Sequence, residues 1–150
     1  NDTKYLLSEN FEHVTAVDRE ALATEIVREL PTEKFEYVIS SLEEYPFLES
    51  KYDLVNAQYT LPFIAPQYFQ SVWQQISQSL KTGGIFTGQL FGERDEWVGS
   101  ENMTFHTKED TKKLFQDFEV LSFEEEEKDK ETAAGIMKHW HVFHFILKKK

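Results

Sequence analysis

Val14-Thr15-Ala16-Val17-Asp18-Arg19 is the stretch on which the reading of the fold turns. It reads as a short apolar strand that stops at an acid. A carboxylate at a strand's end can accept hydrogen bonds from two neighbouring hydroxyls, and charged acceptors bond more strongly than neutral ones. The same residue type also starts turns by bonding its own backbone, so Asp18 alone leaves both readings open. The rest of the chain has to decide between them.

The chain has 150 residues, 40% of them hydrophobic and 15% aromatic, with thirteen Phe. That length fits one domain, residues 1–150, with a sizeable core, and the composition is that of a globular chain. No run of about eighteen apolar residues is present, so no membrane partner is expected. Cys is absent, which removes disulfides, thiolate metal sites and a Cys nucleophile. The net charge of −11 argues against nucleic acid as a partner, because phosphate neutralisation needs clustered Lys and Arg. The only basic run is Lys148-Lys149-Lys150. Small neutral or cationic substrates suit such a surface, and a cytoplasmic setting is expected.

Residues 1–10 read as a helix already under way, with Tyr5, Leu6 and Leu7 as its apolar positions. A cofactor-binding α/β unit needs a strand and a Gly-rich turn before its first helix, and an acid about 20 residues beyond those glycines. Asp18 lies 17 residues after Asn1. The expectation is therefore that a first strand and a phosphate-loop-like turn precede Asn1. Without them, the flanking strands would need a partner to lend a strand, as a homodimer could.

Leu22, Ile26 and Leu30 fall on one helix face, which Pro31 ends. Tyr37-Val38-Ile39 is a short strand, followed by Ser40-Ser41-Leu42. Residues 43–47 form a loop or helical turn stopped by Pro46. Residues 52–58 read as the next strand and 59–63 as a loop. Pro66 opens a helix with Phe69, Val72, Trp73, Ile76 and Leu80 on one face. Lys81-Thr82-Gly83-Gly84 is expected to end it with a left-handed glycine cap. Residues 85–91 form a strand, and 92–102 a polar loop holding Trp97. Thr107-Lys108-Glu109-Asp110 resembles a capping box that starts a helix to about Gln116, burying Leu114 and Phe115. Residues 118–123 and 139–147 are the last strands, an expected antiparallel pair at one sheet edge. A long polar connection joins them, and the charge run 124–130 reads as a solvated hairpin arm or loop.

From His13 to Phe91 the chain resembles a class I S-adenosylmethionine-dependent methyltransferase. The matching residues are Val14-Thr15-Ala16-Val17-Asp18, Val38-Ile39-Ser40-Ser41-Leu42 with Pro46-Phe47, and Tyr52-Asp53-Leu54-Val55. Leu80-Lys81-Thr82-Gly83-Gly84-Ile85-Phe86 is similar to the family's Leu-Lys-Pro-Gly-Gly turn, with Thr82 in the proline position. The resemblance implies a Rossmann-like doubly wound α/β fold. Its mostly parallel sheet would carry helices on both faces and end in a C-terminal antiparallel hairpin. It implies S-adenosylmethionine as cofactor and a small-molecule substrate. Asp18 would bind the ribose hydroxyls, with Arg19 beside it near the adenine. Ser41 stands where the family often has an Asp that bonds the adenine amino group. Leu42 would offer its backbone N–H to the ring, and Asn56, Ala57 and Gln58 would line the methionine part.

In-line methyl transfer needs alignment more than a proton carrier, so no catalytic residue is nominated. Tyr59 and Trp97 are candidate substrate contacts, since aromatic faces attract cations and loops carry function. His139 and His141 share one strand face while His144 points the other way, so one ion could not easily take all three and no metal is expected. An alternative from another class is a catalytically inactive methyltransferase-like binding or assembly module.

Overall fold

The computed structural model describes residues 2–9, 11–21, 30 and 33–150. The helix read at Leu22 and Ile26 lies outside these residues. Two compact units emerge, residues 1–46 and 47–150.

In the first unit, helix α1 (Asp2–Ser8) precedes strand β1 (Val14–Asp18), which pairs in parallel with β2 (Phe35–Ile39). The register runs from Val14↔Phe35 to Asp18↔Ile39. β2 begins two residues before the apolar run that marks it in the sequence. Buried Phe35 opposes buried Val14, and exposed Glu36 between Phe35 and Tyr37 masks the alternation.

The second unit is built on a five-stranded mixed sheet. Its strands are β3 (Tyr52–Ala57), β4 (Leu80–Gly92), β5 (Phe105–His106), β6 (Phe118–Glu131) and β7 (Met137–Lys149). The order is β3-β4-β7-β6, with β5 also pairing β4. β3 and β5 run parallel to β4, while β7 is antiparallel to both β4 and β6. A 3-10 turn (Leu61–Phe63) and helix α2 (Pro66–Ser79) link β3 to β4. Helix α3 (Lys108–Leu114) precedes β6. This is the Rossmann-like arrangement of parallel strands closed by an antiparallel hairpin. No described helix is long and apolar enough to cross a membrane.

Pro66 occupies the first turn of α2, where its missing N–H costs nothing. Phe69, Val72, Trp73 and Ile76 then form the buried stripe. Trp73 is the hub of the core. Its ring centroid lies 5.0 Å from Phe86, 5.7 Å from Phe145 and 6.1 Å from Phe115, and its Nε1 donates to the Leu114 carbonyl at 3.2 Å. Full burial of each aliphatic or Phe side chain in this layer contributes about 1.5–3 kcal/mol.

Three elements depart from the sequence reading. Helix α2 stops at Ser79, before the glycines. Leu80 is extended (φ −78°, ψ 138°) and 2% exposed, because its side chain is drawn into the sheet, where it pairs with Tyr52. Residues 81–84 then bulge between the Tyr52↔Leu80 and Leu54↔Ile85 pairs, and Gly83 (φ +83°) serves that turn and caps no helix. Helix α3 ends at Leu114, earlier than read, and Leu114 is only half-buried while Phe115 is buried. Its start is as read, with the Thr107 hydroxyl accepting from the Asp110 N–H at 3.0 Å. Finally, β6 continues through the whole charge run to Glu131, so residues 132–136 form a short turn and not a long connection. Cross-strand partners stabilise the charges. His139 lies 2.7 Å from Asp129 and 3.1 Å from Glu127, and His141 lies 3.0 Å from Glu125. Arg94 forks to Glu125 and Glu127 at 2.9 and 2.8 Å. Lys108, Arg94 and His141 hold the Glu125 carboxyl down to about 2.

The hairpin outruns the sheet. β4 pairs with β7 as far as Phe91↔Val142, but β6 and β7 stay paired out to Glu131↔Met137. The overhanging arm therefore projects past the carboxyl end of β4. A strap from the loop after β4 holds it. Asp95 and Lys138, with side chains 0% and 2% exposed, meet at 2.5 and 2.6 Å. The ammonium also lies 3.7 Å from the Trp140 centroid and 4.3 Å from that of Trp97. Asp95 further accepts from the N–H groups of Trp97 and His141, and Glu96 N–H donates to the His139 carbonyl. Gly92 has to be glycine, since a Cβ there would sit 2.0 Å from the His141 ring.

Lys138→Met should strand a buried carboxylate and cost about 3–5 kcal/mol. Asp95→Asn should strand the ammonium at similar cost. In urea unfolding, the double variant should lose clearly less than the two single losses added together; simple additivity would show that the two charges are not coupled. His106 supplies a second test. Burial pushes its imidazole down to about 4 against Asp110's opposing pull, and its Nε2 is enclosed with no hydrogen-bond partner among the described residues. Between pH 6.5 and 4 the unfolded chain binds a proton there that the native state refuses. His106 therefore leaves stability intact above about pH 6.5 and erodes it toward pH 4, by up to about 3 kcal/mol. Thermal melts across that range should be flatter for His106→Leu, and a parallel pH slope in both proteins would exclude His106 as the cause.

Candidate functional site

In a parallel pair, both strands deliver their carboxyl ends to the same rim. In the first unit that rim carries Asp18, Arg19, Ser41 and Leu42, since Asp18 pairs with Ile39 and the Ser40 N–H donates to the Asp18 carbonyl at 3.0 Å. Asp18 is exposed. Its Oδ1 accepts from the Glu20 N–H at 3.0 Å, which fixes the carboxylate in a turn. This is the turn-making bond that an Asp at a strand end can form. Tyr37 braces the same turn by donating to the Glu20 carbonyl at 2.5 Å. Burial, then the Asp18 and Glu20 charges, push its phenol up. The Ser41 hydroxyl makes a long 3.4 Å bond to Glu44, and the Ser41 carbonyl accepts from the Tyr45 N–H at 3.0 Å.

In the second unit, the carboxyl end of β3 carries Asn56, Ala57, Gln58 and Tyr59. Gln58 Nε2 donates to Asn56 at 2.9 Å. Ala57 is buried opposite Gly88, where a Cβ would meet the Ala57 carbonyl oxygen at 2.8 Å, so glycine allows the strands to close here. Tyr59 has φ +48°, a conformation that non-glycine residues adopt only when their surroundings impose it. Gln89 does the imposing. Its Oε1 accepts from the Tyr59 N–H at 2.7 Å, and its Nε2 donates to Gln58 Oε1. Gln89, 5% exposed, thus clamps the segment after β3.

Beside this clamp, a groove of about 340 Å³ crosses β4, β7 and β6 over Gln89, His144, Glu124 and Glu126. The pairing Gln89↔His144↔Glu124 places three polar side chains in one row across the sheet. A second groove of about 270 Å³ shares Glu126 and runs between Tyr59 and the overhanging arm at Trp140 and Val142. Tyr59 therefore lies in a groove wall. Trp97 lines neither groove and packs 5.4 Å from Trp140 and 6.1 Å from Phe91, over Lys138. The His139 and His141 rings engage carboxylates on the face opposite His144, as their alternation requires. Gln89, His144 and Trp140 were not singled out as site residues in the sequence. The available signal for Gln89 was its place, with Thr87, as a polar residue inside the otherwise apolar run of residues 85–91.

Gln89→Leu should release Tyr59 and cost about 1–3 kcal/mol by leaving its N–H without an acceptor. Hydrogen exchange would report this as lost protection at the Tyr59 amide, with protection along β4 retained. Unchanged protection at Tyr59 would show that the clamp does not operate.

Comparison with known proteins gives the geometry a context. No curated protein matches the chain. Solved structures share its fold at low identity. TehB from Haemophilus influenzae superposes with a TM-score of 0.75 at 13% identity, over 92% of this chain and 50% of that one, so the chain spans half the length of TehB. A SAM-dependent methyltransferase from Methanosarcina mazei gives 0.73 at 19% identity, over 98% and 86%. A 1,6-didemethyltoxoflavin-N1-methyltransferase from Burkholderia thailandensis, solved with 1,6-didemethyltoxoflavin and S-adenosylhomocysteine, gives 0.71 at 18% identity, over 100% and 66%. The family model described as a methyltransferase domain matches residues 2–87, more than half of the 150 residues. The chain belongs to the methyltransferase domain family.

Proposed function

We propose that this chain takes part in methyl transfer from S-adenosylmethionine to a small-molecule acceptor. The observation that carries the reading is the exposed Asp18 carboxylate at the carboxyl end of β1, held in a turn through its Oδ1. The residues present fit the donor. Asp18 has an oxygen to offer the ribose hydroxyls, with Arg19 beside it. Ser41 and Leu42, on the same rim, would meet the adenine through a neutral hydroxyl and a backbone N–H. Asn56, Ala57 and Gln58 would line the methionine part. The sulfonium donor, when bound, supplies an activated methyl group, so the protein's share is binding, alignment and exclusion of water.

Gln89 performs the alignment in the second unit by fixing Gln58 and Tyr59. Of the two grooves beside them, the one of about 340 Å³ falls at the lower end of the size of small-ligand sites, and the other holds about 270 Å³. The Burkholderia structural neighbour is named as a methyltransferase of 1,6-didemethyltoxoflavin, which supports a small-molecule acceptor here. Asp18→Ala should weaken S-adenosylmethionine binding roughly tenfold to a hundredfold, the effect of losing a charged hydrogen bond. Calorimetry showing unchanged affinity would remove Asp18 from the site.

A further inference from the structure

The two grooves of the second unit meet at Glu126 and form one trough. Its ends differ in chemistry. At one end the row Gln89–His144–Glu124 crosses the sheet. Glu126 is engaged by Lys128 at 2.6 Å and lies 3.7 Å from His144, but Glu124 has no lysine or arginine at ion-pair distance among the described residues. Glu124 is thus an uncompensated carboxylate on the trough wall. At the other end the walls are aromatic. Tyr59 is fixed there by Gln89, and Trp140 is fixed by its Nε1 bond to the Lys130 carbonyl at 3.0 Å and by Lys138 beneath it. Lys128 and Lys130 line the trough near that aromatic end, away from Glu124.

Glu124 pairs with His144 and Lys128 with Trp140, so the carboxylate and the indole are four residues apart along the strands, about 13 Å. A ring at the aromatic end and a positive charge toward Glu124 fit an elongated molecule with an aromatic head and a cationic tail. Aromatic faces and a free carboxylate both favour cations. The trough also adjoins the clamped segment Asn56–Tyr59, the part of the unit assigned to the methyl donor.

Resting on the methyltransferase reading, we propose that this trough is the acceptor site and that it takes a small aromatic amine, protonated at neutral pH. Its ring lies against Tyr59 and Trp140 and takes the methyl on a ring N–H or O–H, whose proton passes to solvent; its ammonium, which has no lone pair to react, anchors the tail toward Glu124.

Three indoles matched in ring and in a six-carbon tail, long enough for this span, and differing in tail charge provide the test: 6-(indol-3-yl)hexylamine (cation), 6-(indol-3-yl)hexanol (neutral) and 6-(indol-3-yl)hexanoate (anion). Each would be titrated into the ¹⁵N-labelled chain at pH 7.5 and followed by amide shifts. The amine should bind about tenfold more tightly than the alcohol, and the carboxylate more weakly than either. The shifts should centre on Tyr59, Gln89, Trp140 and His144. Glu124→Gln, an exposed position whose change should leave the fold intact, should bring the amine down to the affinity of the alcohol without altering the alcohol. Equal affinities for the three compounds, shifts centred elsewhere, or an unaltered preference for the amine in Glu124→Gln would each overturn the proposal. S-adenosylhomocysteine titrated separately keeps the two readings distinct. Its binding without any cation preference would overturn only the acceptor class. A cation preference with no S-adenosylhomocysteine binding would remove the methyltransferase reading, and the acceptor role with it.

Discussion

An ammonium and a carboxylate taken out of water have to find each other, and Lys138 and Asp95 do so beneath the indoles of Trp97 and Trp140. Burial of this kind contributes little net stability and is strongly punished if broken. Its consequence is geometric. Lys138 sits on the part of β7 that has passed the end of β4, and Asp95 sits in the loop that follows β4. Their contact ties the free arm of the hairpin to the sheet. The backbone bonds from Glu96, Trp97 and His141 then converge on the same point. Trp140 owes its fixed position, and with it one wall of the trough, to this tie.

The second constraint is the clamp made by Gln89. A side-chain amide buried in a sheet must satisfy both its oxygen and its nitrogen. Gln89 satisfies them on the two residues that follow β3, which places Tyr59 in a backbone conformation it would not choose alone. A requirement of hydrogen-bond satisfaction thus shapes the surface, since the segment after β3 is delivered to the trough in one conformation. Clamp and strap work on opposite walls of the same space, both inside the second unit.

The apolar strand Val14–Val17 and its terminal acid were legible because a short parallel strand writes its limits in composition. The stripe of α2 was legible because burial on one side of a helix imposes a 3.6-residue period. Asp18 was legible as the acid that ends the first strand, whereas Ser41 and the residues 56–58 became candidates only through the resemblance to class I methyltransferases. β6 was half legible. A run of Glu and Lys has no apolar alternation, and its strand character comes from partners such as His139, His141 and Arg94, which lie elsewhere in the chain.

The sequence by itself determined the alternation of strands and helices, the acid at the end of β1 and the buried face of α2, since local periodicity and residue type carry that information, and its resemblance to class I methyltransferases implied the fold class. The tertiary structure alone decided where α2 stops, how far the hairpin overhangs, and which polar residues share a wall. Those depend on register. Gln89, His144 and Glu124 stand in one row only because β4, β7 and β6 pair as they do, and Tyr59 meets Gln89 across 30 residues of chain. Pairings between distant segments leave no periodic trace, so neither the trough nor the strap that shapes it could be read before the strands were aligned.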